Sequence, residues 1–414
     1  MTSKVPVLVV GQAVHPTGYA RVINSILAAL KDRYEFHHFG INYKGPPLDC
    51  GWNVYPNQRP GDIFGIEQLP LLMEKIQPRL LFFMHDMYLY LVHRPWLDEH
   101  RGECKIVSYF PIDGADVAPA MLDALTGLDR AVLFTEFAKS EIEAALAKRL
   151  LEDESFRCPP LSVIPHGVDT NIFRPCEDYP TGHDFHLSRI KARAALFPDQ
   201  PELSHAFIVL NANRNQPRKR IDITIEAFAL FAKGKPENVK LYLHMGMEDR
   251  GYRLSDLIRR HDLQDRVLLT TASPQMPNIP DQRLNLLYNA CDVGLNTSTG
   301  EGWGLVAFEH AATGAAQVLP RHSACAELWR DVARLVEPIE SFRPPMDFMQ
   351  YQTVSPVGVA DVLEDLYRKP ARLRELSVLA YKRATAPELQ WSNIACKWDQ
   401  LFQEEVATCR ATSG

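Results

Sequence analysis

Short apolar runs alternate with longer amphipathic stretches along most of the chain. A first set of runs comprises Val5–Val10, Leu80–Met84, Ile106–Tyr109, Ala131–Phe134 and Leu161–Ile164. A second comprises Phe207–Leu210, Lys240–His244, Val267–Leu269, Val293–Asn296 and Ala316–Leu319. Each is short, mostly apolar and bounded by turn-forming residues, which predicts strands buried on both faces. Helical patterns between them predict parallel sheets with right-handed crossovers. The first helix is expected over Tyr19 to Lys31, where Val22, Ile23, Ile26, Leu27 and Leu30 make one apolar stripe.

The two strand sets are separated by a polar stretch from Phe173 to Ser204, carrying Pro175, Pro180, Pro198 and Pro201 and interrupted by the helix-like His186–Leu196. A boundary is expected near Pro175–Asp184. The expected architecture is α/β: two doubly wound, Rossmann-like domains, residues 1–180 and 181–390, facing each other across a ligand-binding cleft. The proline-bearing segment Glu337–Val357 reads as a loop lining that cleft.

Composition narrows the function classes. A length of 414 residues suits two or three domains. The formal net charge of −6 argues against a nucleic-acid partner, though it leaves room for a local basic cleft. No apolar run approaches the ~20 residues that span a bilayer, so no transmembrane segment is expected, and peripheral membrane contact stays open. The run Val5–Val10 lacks a small-residue cleavage site and reads as a buried strand rather than a signal peptide. None of the eight cysteines forms a C-x-x-C pair. Scattered cysteines without a secretion signal suit a reducing cytoplasm. No His/Asp/Glu cluster has metal-ligand spacing, so neither a metal nor another cofactor is expected.

Candidate chemistry concentrates in three segments. In Thr299-Gly300-Glu301-Gly302-Trp303-Gly304-Leu305-Val306-Ala307-Phe308-Glu309, two carboxylates flank seven residues, behind the strand pattern Asp292–Asn296. Strand, glycine turn and helix in that order present free backbone N–H groups to an anion. The amides of Gly302 to Leu305 are therefore candidate phosphate donors, with Glu301 in the loop and Glu309 on the second helical turn. The alternative is a surface turn followed by a helix with solvated glutamates. The second segment, Asn211-Ala212-Asn213-Arg214-Asn215-Gln216-Pro217-Arg218-Lys219-Arg220, joins the run Phe207–Leu210 to the amphipathic stretch Ile221–Phe231. Arg214 and Lys219 are placed to neutralise a diphosphate; Arg218 and Arg220 read as solvated. The third, Val163-Ile164-Pro165-His166-Gly167-Val168-Asp169, ends an apolar run in a turn.

With these segments in this order, the sequence resembles the family 4 retaining glycosyltransferases, which have the GT-B fold. The matching elements are Gly18-Tyr19-Ala20-Arg21, Pro165-His166-Gly167-Val168-Asp169, Arg214 with Lys219, the Glu301-x7-Glu309 segment, and Trp391-Ser392-Asn393-Ile394-Ala395, which resembles that family's final helix. The resemblance implies metal-free transfer of a sugar, with its anomeric configuration kept, from a nucleotide-sugar donor (a UDP- or GDP-sugar) to an acceptor. It leaves the acceptor open: a sugar, a lipid-linked group, a protein or a small molecule. It implies that Glu301 holds hydroxyls of the donor sugar, that Glu309 binds the ribose, and that the helix from about 391 to 414 returns to the first domain. Trp303 stands where the family often has phenylalanine, and either packs on the sugar or is structural.

On the acceptor side, Gly18 follows the loop Gly11–Thr17 and either lets it close over the ligands or makes a plain strand–helix turn. His85, before Asp86 at a strand end, is either structural or functional. The sequence departs from the family after Ile106–Tyr109, where a histidine is frequent and Asp113 stands instead. Asp113 either hydrogen-bonds a sugar hydroxyl or the acceptor, as a catalytic residue in place of that histidine, or caps the following turn. Competing readings are an epimerase or phosphorylase of the same fold, and a non-catalytic sugar-nucleotide-binding protein. A Rossmann dehydrogenase is disfavoured, because Gly11-Gln12-Ala13 breaks the G-x-G-x-x-G pattern. Oligomeric state leaves no trace in the sequence.

Overall fold

The continuous apolar run at the start of the chain becomes the strand Val5–Gly11, whose Val7 to Val10 are fully buried, as a strand covered on both faces requires. The computed structural model describes residues 4–14, 17–177 and 185–411. Of the expected boundary stretch, residues 178–184 lie outside the described residues, as do His15 and Pro16 of the first loop. The chain divides into one unit of Met1–Gly167 with Glu388–Gly414 and a second of Val168–Pro387.

In the first unit the strands are β1 (Val5–Gly11), β2 (Tyr34–Gly40), β3 (Leu48–Asp49), β4 (Asn53–Pro56), β5 (Leu80–Met84), β6 (Lys105–Phe110), β7 (Arg130–Leu133) and β8 (Leu161–Val163). They form one sheet in the order β3-β4-β2-β1-β5-β6-β7-β8. Every pairing is parallel except β3 with β4. The strand order reverses direction between β1 and β5, the point at which doubly wound sheets open a crevice beyond their carboxyl ends. The first helix, Gly18–Leu30, is capped by Thr17, whose hydroxyl accepts from Ala20 N, and it buries Val22, Ile23, Ile26, Leu27 and Leu30.

The final helix, Trp391–Ala411, belongs to this unit. Trp398 is fully buried against Phe82 of β5 and Tyr109 of β6. Asp399 pairs with Arg33, and Glu405 accepts from Arg130 Nε at 2.8 Å. At its start, Trp391 lies on Gly167: a Cβ at Gly167 would sit 2.7 Å from the indole. That close approach explains the glycine in Pro165-His166-Gly167.

The second unit contains β9 (Phe207–Asn211), β10 (Val239–Leu243), β11 (Val267–Leu269), β12 (Val293–Leu295), β13 (Ala316–Pro320) and β14 (Arg334–Val336). They form an all-parallel sheet in the order β11-β10-β9-β12-β13-β14. Its switch point falls between β9 and β12, so the loops after those two strands share one edge. The core beneath includes Val209, Leu241, Val293 and Val318 from the sheet, with Ile221, Ile225 and Phe228 from the helix Ile221–Ala232. A buried Asp292, just before β12, ties that strand to the helix His186–Leu196: it pairs with Arg189, whose Nε lies 3.0 Å away, and accepts from Arg193 at 2.7 Å.

The short strands β3, β4 and β14 lie outside the expected runs, and two further features differ from the sequence reading. The strand β2 went unforeseen because Glu35, His37 and His38 interrupt its apolar pattern, yet His38 is fully buried, and burial pushes its imidazole down to about 3. The segment expected as a loop at 337–357 instead contains an antiparallel hairpin, β15 (Pro338–Phe342) with β16 (Tyr351–Val354). Among the described residues no helix is long and apolar enough to cross a membrane, and no group of three or more His, Cys, Asp or Glu side chains is arranged to hold a metal.

Candidate active site

The loop after β9 and the loop after β12 are joined by a set of hydrogen bonds. Thr299 N donates to Arg218 O at 2.8 Å, and Arg218 Nη1 donates to Gly300 O at 2.7 Å. The Thr297 hydroxyl donates to Arg220 O at 2.8 Å and shares a 2.7 Å bond with Thr224, which in turn accepts from Asn211 Nδ2 at 2.9 Å. Residues far apart in sequence are thereby held in one small polar cluster.

At its centre the Lys219 ammonium donates to Glu301 Oε1. Lys219 is 7% exposed and Glu301 4%. Asn296 Nδ2 donates to the same oxygen at 2.9 Å and the Ser298 hydroxyl at 3.2 Å. Burial alone would raise the Glu301 carboxyl. The charges of Lys219 and Arg218, with hydrogen bonds from Lys219 and Asn296, outweigh it and hold the group down at about 2. Glu301 is therefore a permanent anion at neutral pH. Its backbone is fixed as well: Glu301 N donates to the Ser323 hydroxyl at 3.1 Å, and Ala324 N donates to Glu301 O at 3.2 Å.

Arg214 lies on the same loop as Lys219, and its guanidinium grips Asp249 with two bonds, 2.6 and 3.2 Å. Backbone strain gathers around these groups. Arg220, Asp249 and Ser323 all have left-handed φ values, of 46°, 37° and 46°. Such conformations persist where surrounding structure holds them. Arg220 is held by Asp222, at 2.8 Å, and by Thr353 Oγ1 of β16, at 3.1 Å. Gln352 N donates to Thr299 O at 3.1 Å, so β16 braces both site loops.

Gly302 and Trp303 precede Gly304, which has φ +88° and starts the short helix Leu305–Ala311. Only a glycine adopts that angle without cost. The Trp303 indole is buried, stacked on Phe308 at 4.9 Å, and Phe308 packs on Trp329. Glu309 is 5% exposed, and Tyr288 donates its hydroxyl to Glu309 Oε2 at 3.1 Å. Thus Arg214, Lys219, Glu301, Gly302, Trp303, Gly304, Leu305 and Glu309 all lie on elements at the switch-point edge of the second sheet. Sequence reasoning missed Asp249, Asn296, Ser298, Tyr288 and Ser323. The expectation that Arg218 and Arg220 are simply solvated is corrected, since both guanidinium groups bind across the loops.

The remaining expected residues belong to the first unit. Gly18 opens the first helix. His85 lies just beyond β5, 7% exposed; Gln12 Nε2 donates to its Nε2 at 3.0 Å, and its ring stacks on Tyr19 at 4.7 Å. Tyr19 donates to Asp86 Oδ1 at 2.6 Å. Burial lowers the His85 pKa more than the neighbouring Asp86 raises it, so the imidazole is neutral and able to accept. Asp113 is half-buried on the loop beyond β6. His166 is buried against Tyr109, 2.8 Å from its hydroxyl, and burial pushes it down to about 3.

Residues 193–338, which carry the Lys219–Glu301 cluster and Glu309, match a known family. Its description is "Glycosyl transferases group 1". The D-inositol 3-phosphate glycosyltransferase of Acidothermus cellulolyticus is 30% identical over 174 residues, 41% of this chain and 35% of that protein. The match thus spans about a third of the relative's length. Among solved structures, sucrose-phosphate synthase from Thermosynechococcus elongatus superposes with a TM-score of 0.70 at 17% identity, covering 98% of this chain and all of the other. Anabaena HepE, solved in complex with UDP and glucose, does so with a TM-score of 0.68 at 17% identity, covering 97% of this chain and 100% of that one. These likenesses show a shared fold: the parallel α/β architecture matches that of GT-B glycosyltransferase structures.

Proposed function

We propose that the protein is a retaining glycosyltransferase that moves a hexosyl group from a UDP- or GDP-sugar to an acceptor. The observation that carries this reading is the buried Lys219–Glu301 pair, with Arg214 on the same loop, inside the region that matches group 1 glycosyl transferases. Breaking a sugar–phosphate bond leaves negative charge on the diphosphate while positive charge develops on the sugar. Lys219 and Arg214 supply fixed cations for the first, with the amides of Gly302 to Leu305 beside them. Glu301, held ionised, faces the second as an acceptor for sugar hydroxyls. Glu309 takes the ribose hydroxyls.

In this reading the fixed cations serve the leaving group in place of a divalent metal, and no cofactor takes part. His85 and Asp113, in the first unit, are assigned to the acceptor side. The acceptor is a sugar, a lipid-linked group, a protein or a small molecule, and the reaction belongs to the cytoplasm. A panel of nucleotide sugars tests the reading. At saturating concentration a true donor raises the melting temperature by mass action and is consumed when the matching acceptor is present. A panel in which no nucleotide sugar stabilises the protein or is turned over removes the reading.

A further inference from the structure

Glu309 is a carboxylate on a short helix, almost wholly buried, and its terminal torsion has no sharp intrinsic preference. Something must set the plane of that carboxylate if it is to meet a vicinal diol with both oxygens correctly aimed. Tyr288 is in position to do so. It stands on the helix Asp281–Ala290, is 2% exposed, and donates its hydroxyl to Glu309 Oε2 at 3.1 Å. The Tyr288 ring is itself held from two directions, by Phe173 at 5.6 Å and by His310, the residue after Glu309, at 5.5 Å. A ring clamped in this way directs its hydroxyl along one line.

We infer that Tyr288 is a positioning residue for nucleoside recognition, orienting the Glu309 carboxylate toward the ribose hydroxyls of the bound nucleotide. The inference rests on the proposed nucleotide-sugar reading and adds to it a residue that makes its contribution through Glu309. A hydroxyl held on Oε2 fixes the carboxylate plane and hence the direction in which Oε1 accepts. Loss of that bond leaves the ribose contact available but poorly aimed, so the effect falls on ribose recognition and spares the diphosphate contacts of Lys219 and Arg214.

Tyr288→Phe keeps the ring and removes the hydroxyl. Calorimetric titrations compare UDP and GDP on the wild-type protein, and the tighter one serves as probe, alongside its 2′-deoxy counterpart and inorganic pyrophosphate. The expected result is a loss of about 10–100-fold for the ribonucleotide, the scale of a hydrogen bond to a charged group, with pyrophosphate unchanged. The preference for ribose over 2′-deoxyribose shrinks in the variant, and Tyr288→Phe added to Glu309→Gln changes affinity less than twofold. Wild-type ribonucleotide affinity in folded Tyr288→Phe overturns the role of Tyr288 alone, as does an equal loss of pyrophosphate binding. A wild-type protein that binds neither UDP nor GDP overturns the nucleotide-sugar reading and this inference with it. Should Tyr288→Phe fail to fold, 3-fluorotyrosine at position 288 provides a second measurement. Its fluorine resonance moves on adding the ribonucleotide and stays in place with pyrophosphate; a resonance blind to both overturns the inference.

Discussion

The Lys219 ammonium and the Glu301 carboxylate, 82 residues apart in sequence, form an ion pair in which neither partner is more than a tenth exposed. Their energetics follow from that burial. Each charge has given up water, and each is compensated chiefly by the other.

Removing one partner therefore leaves a buried charge unpaired. Lys219→Met is expected to destabilise the protein by about 3–5 kcal/mol. The double variant Lys219→Met/Glu301→Gln is expected to recover most of that loss while remaining inactive. Urea unfolding of the three proteins measures the effect. A single variant as stable as wild type would show that the pair is not load-sharing in solution.

The same pair governs behaviour in acid. Glu301 is held at about 2 in the folded protein and lies near ~4.3 when unfolded. A carboxyl with a depressed folded pKa stabilises fully above its unfolded value, and that contribution is lost as pH falls through its folded value. Stability should thus decline between about pH 5 and pH 2, with Glu301 accounting for about 3 kcal/mol of the loss. Comparing denaturation of wild type and Glu301→Gln across this range isolates the contribution. Parallel curves would exclude it.

Arg220 allows a test of backbone strain. Its φ of 46° is left-handed, and its guanidinium binds Asp222 and Thr353. Arg220→Ala and Arg220→Gly both lose those bonds, but only alanine keeps the strain. The glycine variant should be the more stable by about 1 kcal/mol, the reverse of the order at a helix interior. Equal melting curves for the two would argue that the left-handed conformation relaxes in solution.

Gly167 and Trp391 allow a test of packing. A methyl group at Gly167 would enter the indole at 2.7 Å. Gly167→Ala is expected to cost about 1–3 kcal/mol by overpacking. Adding Trp391→Leu should lessen the penalty, because the smaller side chain yields space. Chemical denaturation of the four proteins in the cycle reads the coupling, and strict additivity would count against the contact.

The central strands were legible because burial on both faces leaves an uninterrupted apolar run, as in Val7–Val10 and Leu80–Met84. The strand β2 was not, because His37 and His38 look like surface residues until the sheet buries them. The hairpin β15–β16 was hidden by Pro344 and Pro345 and by exposed Ile339 and Met346, which break any period-two pattern. In the site, Arg214, Lys219 and Glu301 could be named because each stands in a turn segment after an apolar run, and Glu309 because it follows Glu301 across seven residues into the next helix. Their partners could not. Asp249, Asn296 and Ser298 are short polar residues on loops and Ser323 opens the short helix Ser323–Leu328, and what selects them is proximity created by the fold, such as Ser323 accepting from Glu301 N at 3.1 Å. Nor does sequence spacing reveal that Lys219 and Glu301 share a bond.

The role assigned to Glu301 leads to a prediction about stereochemistry. Paired carboxylates in sugar chemistry serve as nucleophile and acid or as base and acid, and both arrangements require one carboxyl to meet a nucleophile or proton directly. Glu301 is poorly suited to either. It is already bonded to Lys219, Asn296 and Ser298, and its depressed pKa makes it a weak base. Such a group is better at holding hydroxyls and balancing charge than at taking a proton. The proposed transfer therefore proceeds with departure and attack on one face of the sugar, a phosphate oxygen helping to receive the acceptor proton. The first-formed product should keep the donor's anomeric configuration. Glu301→Gln should lose most turnover, by about 10²-fold or more if a transition-state contact is removed, yet still bind the nucleoside diphosphate through Lys219, Arg214 and Glu309. Proton NMR of the initial product reads the anomeric coupling, and an inverted coupling would eliminate the same-face mechanism. Loss of nucleotide binding together with activity in a folded Glu301→Gln protein would instead show that Glu301 supports the nucleotide site rather than the sugar.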